Sequence, residues 1–128
     1  MDDNYVRRFV PGRAVDGDTL ETDRVDLGFH QSATDDIRFR LYGLNCPEKN
    51  KAATKAAGLA AKAYTEAWLA EHLHGGTYLV CKTLPVPNVP LQDSFGRYIT
   101  QVFCMQPEHP SLNLCLVRDG HAIPFMLL

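Results

Sequence analysis

Apolar and polar positions alternate by two along several short stretches of this chain, and by three and four along two longer ones. Ile37, Phe39 and Leu41 fall on one face of a strand expected over 37–44, with Arg38, Arg40 and Tyr42 on the other. A first strand, 4–14, is interrupted by Pro11-Gly12, which predicts a bulge or bend. A second, 19–27, changes phase. Leu20 to Val25 is an odd step where strict alternation needs an even one, so a bulge is expected between them. "TYLVCKT" (77–83) and "RYITQVFCM" (97–105) read as a fourth and a fifth strand. "GFHQSATDD" (28–36) reads as loop, and "LPVPNVPLQDSFG" (84–96) carries too much proline for a ladder. Residues 52–73 are alanine-rich and proline-free, with Ala57, Ala61, Tyr64 and Trp68 on one helical face and Gly75-Gly76 as the stop. "PSLNLCLVRDG" (110–120) predicts a short helix with Ser111 as N-cap, Gly120 as stop, and Leu112, Cys115, Leu116 and Asp119 in line.

The predicted order is three strands, a helix, two strands and a helix. That is an α+β protein, mostly β: a five-stranded OB-fold barrel with a long helix between strands 3 and 4 and a short C-terminal helix. A chain of 128 residues fits a single domain, 1–128. At 45% apolar it can fill a core, and nothing in its composition suggests disorder. The net charge of −2 supplies no global basic field, so a nucleic-acid partner must be gripped by a local cluster. Cys46, Cys81, Cys104 and Cys115 lack zinc-site spacing and are expected as reduced thiols, mostly in the core. "MDDNYVRRFV" does not read as a signal peptide, and no stretch approaches the ~20 apolar residues of a membrane span. A cytoplasmic protein is expected, or a secreted one if a leader was removed.

Three places hold candidate chemistry. "VDGDT" puts the Asp16 and Asp18 carboxylates at one sharp turn; a plain hairpin turn explains the pattern, and so does a hard-cation site built on oxygen. "RLYGLNCPE" (40–48) carries Arg40 on the polar side of its strand, then Asn45, Cys46 and Glu48 past the strand end. A solvated strand arginine followed by a plain strand exit explains the pattern; so does a site, since Pro47 keeps Cys46 extended, which can aim an amide oxygen, a backbone carbonyl and a carboxylate toward one point. "DSFGRY" (93–98) is a turn with Arg97 opening a strand: a surface arginine, or a guanidinium for an anionic substrate.

Taken together, "DGDT" at 16–19, "RLYGLNCPE" at 40–48 and "DSFGR" at 93–97 resemble the staphylococcal nuclease (thermonuclease) family; "DLGF" at 26–29 and "LVRDGHA" at 116–122 are similar too. The resemblance spans about residues 5–122. It implies an OB-fold nuclease that hydrolyses phosphodiester bonds of DNA and/or RNA with calcium, or with magnesium or manganese, and leaves 3′-phosphate ends. By motif, Asp18 and Asn45 become side-chain metal ligands and Cys46 a backbone one. Glu48 handles the attacking water, and Arg40 and Arg97 clamp the phosphate. Asn45 stands where the best-known members carry aspartate, so weaker metal binding is expected. Ser94 and Phe95 replace basic and hydroxylated residues that hold a terminal phosphate there. The apolar end "AIPFMLL" is expected to pack on the barrel of a monomer or to join two copies. The competing reading is an inactive module that binds nucleic acid or a protein partner. The presence of Asp18, Arg40, Glu48 and Arg97 favours the enzyme.

Overall fold

The computed structural model describes residues 6–28, 31–33, 37–75, 78–83, 97–106 and 108–125. Strand β1 (Val6–Asp16) turns into β2 (Thr19–Gly28), followed by β3 (Gln31–Ala33), β4 (Arg38–Leu41) and β5 (Leu44–Asn45). Helix α1 (Lys55–Glu71) precedes β6 (Leu79–Thr83) and β7 (Tyr98–Phe103). Helix α2 (Leu112–Arg118) and β8 (Ile123–Pro124) complete the order. The main sheet runs β1-β6-β7-β4-β2, and β1 also pairs with β2, so these five strands close into a barrel. The β4–β7 pair is parallel, and the other pairs around the barrel are antiparallel. This is the expected mostly-β OB architecture, with α1 between the third and fourth barrel strands.

Both expected bulges are present. Val10 faces Arg24 and Pro11 faces Thr22, which leaves Asp23 as the extra residue on β2; the next shift, between Pro11 and Arg13, leaves Gly12 extra on β1. The Asp23 bulge explains the odd step: Leu20, Thr22 and Val25 all point inward. Phe9, Leu20, Leu41, Leu79 and Val102 are fully buried in the barrel, and Phe9 meets Phe39 edge-on at 5.1 Å between ring centres.

Four expectations change. The 28–36 segment contains the short strand β3, which pairs antiparallel with β2 at the edge of the sheet; three residues are too few for an alternation to be read. The third strand breaks at the Tyr42-Gly43 turn instead of running to residue 44. Helix α1 starts at Lys55 and ends at Glu71, ahead of Gly75, and it buries Gly58, Ala61, Thr65, Trp68 and Leu69. Ala57 is exposed and Tyr64 only half-buried, because the small residues Gly58 and Ala61 pack against the Glu48–Lys49 backbone and the Gly17 turn and so set the rotation of the helix. In α2, Asp119 is exposed, while Asn113 turns inward; its amide bonds to the Val102 N–H and to the carbonyls of Tyr42 and Thr100. Ser111 caps α2 as expected, accepting from the Leu114 N–H at 3.1 Å.

The apolar end folds back: Ile123–Pro124 pairs with Leu44–Asn45, and the Phe125 N–H donates to the Gly43 carbonyl at 2.8 Å. Its last residues, 126–128, and the 84–96 loop with Ser94 and Phe95, lie outside the described residues. All four cysteines are free thiols. Among the described residues no helix is long and apolar enough to cross a membrane.

Burial pushes the Cys81 thiol from its ordinary 9.0 up to about 12. The folded state therefore holds this proton more tightly than the unfolded chain does, and its contribution to stability is lost as pH rises from 9.0 toward about 12. Denaturant melts between pH 8 and 11 are expected to show this alkaline loss, and Cys81→Ala to reduce it.

Candidate active site

The turn between β1 and β2 is held from beneath by α1. A Cβ on Gly17 would sit 2.8 Å from both the Ala61 Cβ and the Cys46 Sγ, so no side chain fits there. The buried Thr65 hydroxyl donates to the Gly17 carbonyl at 2.7 Å. The same helix fixes the segment after β5. A Cβ on Gly58 would lie 2.5 Å from the Lys49 backbone nitrogen, and the Thr54 hydroxyl donates to the Glu48 carbonyl at 2.6 Å. Thus α1 brings two chain segments about thirty residues apart against one surface.

Asp18 is the hinge of this surface. Its backbone carbonyl accepts from the Leu41 N–H at 2.9 Å, tying the turn to β4. Its Oδ2 accepts from the Cys46 N–H at 2.9 Å and lies 3.5 Å from Arg40 Nη1. Its Oδ1 accepts from the Thr19 hydroxyl at 3.3 Å, and that hydroxyl in turn accepts from Arg97 Nη1 at 3.1 Å. Thr19 thereby links the acid of the turn to the arginine that opens β7.

Arg40 departs from the strand's alternation. It is 8% exposed, not a wet-face residue, because the 42–46 turn and Asp18 close over it. Nη1 donates to the Leu41 carbonyl at 3.0 Å and faces Asp18; Nη2 donates to the Leu44 carbonyl at 2.9 Å and to the Asn45 amide oxygen. A buried guanidinium needs such partners, since an unpaired charge in the interior is expensive. Arg40 thus anchors the turn that carries Asn45 and Cys46 before it can serve any substrate.

A cleft of about 340 Å³ opens here, and all six residues singled out from the sequence line it: Asp18, Arg40, Asn45, Cys46, Glu48 and Arg97. Asp16 and Lys49 line it as well. The Glu48 carboxylate is 64% exposed, with Lys51 Nζ at 3.4 Å. Lys49 Nζ bonds the Val15 carbonyl and lies 3.6 Å from Asp16. Three acids (Asp16, Asp18, Glu48) thus meet three cations (Arg40, Lys49, Arg97), and the cleft is close to neutral. Burial, and secondly the Asp18 charge, push the Cys46 thiol up to about 12, so it stays protonated and is no nucleophile at neutral pH.

The donors at the mouth are oxygens, the set a hard cation takes. Among the described residues no group of three His, Cys, Asp or Glu side chains stands close enough to hold a metal. A cation here would therefore need amide and backbone oxygens beside Asp18, and Asn45 and Cys46 carry those. The Asn45 oxygen already accepts from Arg40, but an amide oxygen has a second lone pair.

The family model described as "Staphylococcal nuclease homologue" matches residues 38–126. The chain belongs to the staphylococcal nuclease homologue family. Among curated proteins, none matches it significantly. The family match covers Arg40, Asn45, Cys46, Glu48 and Arg97, while the Asp16–Thr19 turn lies ahead of it. A nuclease-type fold follows from this membership together with the closed barrel.

Sequence reasoning overlooked Thr19, Lys49 and the helix residues Thr54, Gly58 and Thr65. Thr19 had a signal, since it follows the acidic turn and starts a strand. Thr65 had none, because its partner, the Gly17 carbonyl, is distant along the chain; Thr54 at the N-cap and Gly58 meet the nearby Glu48–Lys49 backbone, a contact that no pattern of side chains marks.

Removing Arg40 takes the facing cation from Asp18 and a donor from the Leu41 and Leu44 carbonyls and the Asn45 amide oxygen. Arg40→Ala is expected to lower unfolding free energy by about 3–5 kcal/mol, read from denaturant melts. Arg97→Ala, at the half-buried rim, is expected to cost about 1 kcal/mol. Equal losses would mean that Arg40 is not the anchor of the turn.

Proposed function

We propose that this protein is a metal-dependent nuclease that hydrolyses phosphodiester bonds of DNA and/or RNA and leaves 3′-phosphate ends. One observation carries the reading: Asp18, Glu48 and Arg97, from three distant stretches, line a single cleft in a chain of this family. Asp18, the Asn45 amide oxygen and the Cys46 carbonyl are the groups that would hold calcium, with magnesium or manganese as alternatives. The ion would supply Lewis-acid polarisation of the phosphoryl oxygens and a template for water.

The residues of the chain divide the remaining work. Attack by water at phosphorus loads negative charge onto the equatorial oxygens. Arg97, at the opening of β7, offers a planar fork that matches phosphate. Arg40, with each terminal nitrogen already engaged by the protein, adds fixed positive charge beneath the cleft more than a free clamp. Glu48 is exposed enough to meet a water in the cleft and takes its proton as the new P–O bond forms. The P–O5′ bond breaks, the 5′ oxygen leaves and picks up a proton, and the phosphate stays on the 3′ side. The near-neutral cleft fits this sequence, because a bound divalent cation gives it the net positive charge an anionic backbone needs.

The competing reading, a binding module without activity, draws on the Asn45 oxygen being engaged by Arg40 and on the small number of acids at the site. Digestion of plasmid and single-stranded substrates separates the two. Calcium-supported cleavage that stops on chelation is expected; nucleic-acid binding without cleavage under calcium, magnesium and manganese would establish the module instead. Glu48→Gln is expected to lose roughly 10²–10⁴-fold in rate, and Arg97→Ala about 10²–10³-fold. Activity unchanged in both variants removes these assignments. Asn45→Asp restores one negative charge and is expected to shift the calcium dependence to lower concentration; an unmoved titration means that Asn45 is not a ligand.

A further inference from the structure

A second cluster lies where α1 ends, near the approach to α2 and apart from the cleft lined by Asp18 and Arg97. His72 is the C-cap residue of α1, and His109 sits just ahead of α2. His72 Nδ1 lies 2.8 Å from the Trp68 carbonyl oxygen, and His109 Nδ1 lies 3.0 Å from the Pro110 carbonyl oxygen. A carbonyl oxygen only accepts, so both Nδ1 atoms must carry hydrogen. The neutral tautomer of each ring is thereby decided, and both Nε2 atoms are left with bare lone pairs. Those two atoms stand 3.1 Å apart. Two lone pairs held at that distance need a cation between them.

We propose that His72 and His109 form a site for a transition-metal ion such as nickel(II), copper(II) or zinc(II), with their Nε2 atoms as neighbouring ligands. Three observations support a metal. With metal–nitrogen bonds of about 2.0–2.1 Å, neighbouring ligands of right-angled to tetrahedral geometry lie about 2.9–3.4 Å apart; the 3.1 Å separation falls inside that range. Each ring also makes the outer bond usual for a metal-bound histidine, Nδ1–H to a backbone carbonyl. Finally, the ring centres are 4.4 Å apart with planes tilted 58°, too close for the head-on approach of a linear N–H···N bond, which would add two ring radii to the nitrogen separation. The pair lines a cleft of about 360 Å³, which gives an ion access. No third His, Cys, Asp or Glu completes the set among the described residues, so water fills the remaining positions and the ion is exchangeable.

Trp68 is the chain's only tryptophan and stacks on His72 at 4.3 Å, with planes 24° apart. It is a built-in reporter. Titration of the intact protein with nickel(II) or copper(II) at pH 7.5 is expected to quench Trp68 saturably at one ion per chain, copper binding tighter than nickel. Added calcium leaves the titration unchanged, which separates this site from the nuclease cleft. His109→Gln is expected to weaken binding by more than the roughly 10–100-fold that loss of an outer partner alone would cause, while His121→Gln leaves it intact. Nickel X-ray absorption on the unaltered protein needs no variant, and two imidazoles in the coordination shell are expected. Quenching that is unsaturable or indifferent to His109→Gln overturns the site, as does a shell with one imidazole or none. Fluorescence that titrates with pH but ignores metal overturns it too, because the pair then shares only a proton.

Discussion

The buried guanidinium of Arg40 is the constraint around which the cleft end of this barrel is arranged. A positive charge at 8% exposure has to be surrounded by acceptors, and the chain meets that demand with the Leu41 and Leu44 carbonyls, the Asn45 amide and Asp18. Satisfying Arg40 therefore specifies the turn after β4. That turn presents the Cys46 amide to Asp18 and sets Pro47 and Glu48 at the cleft. Positioning and stability rest on the same bonds here, which tie down a cleft-lining turn at a barrel rim where loops are usually mobile.

A second constraint is closeness of approach. Helix α1 contributes no reacting group, yet Gly58 and Ala61 let it come so near that the β1–β2 turn and the Glu48–Lys49 backbone are both held against it. Steric contact of this kind is unforgiving over tenths of an ångström. That precision is what the proposed chemistry would require, since it would act mostly by placement and electrostatics. The parallel β4–β7 pair supplies the remaining coordinate, since it carries Arg97 next to the strand that bears Arg40.

The two histidines at the far end of α1 show that the same helix organises a second locality. Its C-terminal carbonyl at Trp68 orients His72, and the chain entering α2 brings His109 to it. Tyr64 donates to Asp119 at 2.6 Å and joins the two helices nearby. One helix thus serves two neighbourhoods of different chemistry: oxygen donors with guanidinium at the turn, imidazole at the cap.

The amino-acid sequence determined a good deal by itself. Period-two runs and their phase breaks specified five barrel strands and two bulges, because side-chain alternation and burial are local properties of a strand. Turn and capping residues marked the acidic turn and the start of α2 for the same reason. The six cleft residues were legible through their motifs, which are contiguous in the chain. Only tertiary structure decided what depended on contacts distant in sequence. The rotation of α1 could not be read, because an alanine-rich helix has no apolar stripe to set its face; Gly58 and Ala61 set it by fitting under backbone that the chain reaches elsewhere. The burial of Arg40 could not be read, because alternation assigns it to solvent and only the folded turn covers it. Thr19 as a link, Asn113 as an internal brace and the meeting of His72 with His109 have the same origin: each is a hydrogen-bonding demand met by a partner that pattern along the chain does not encode.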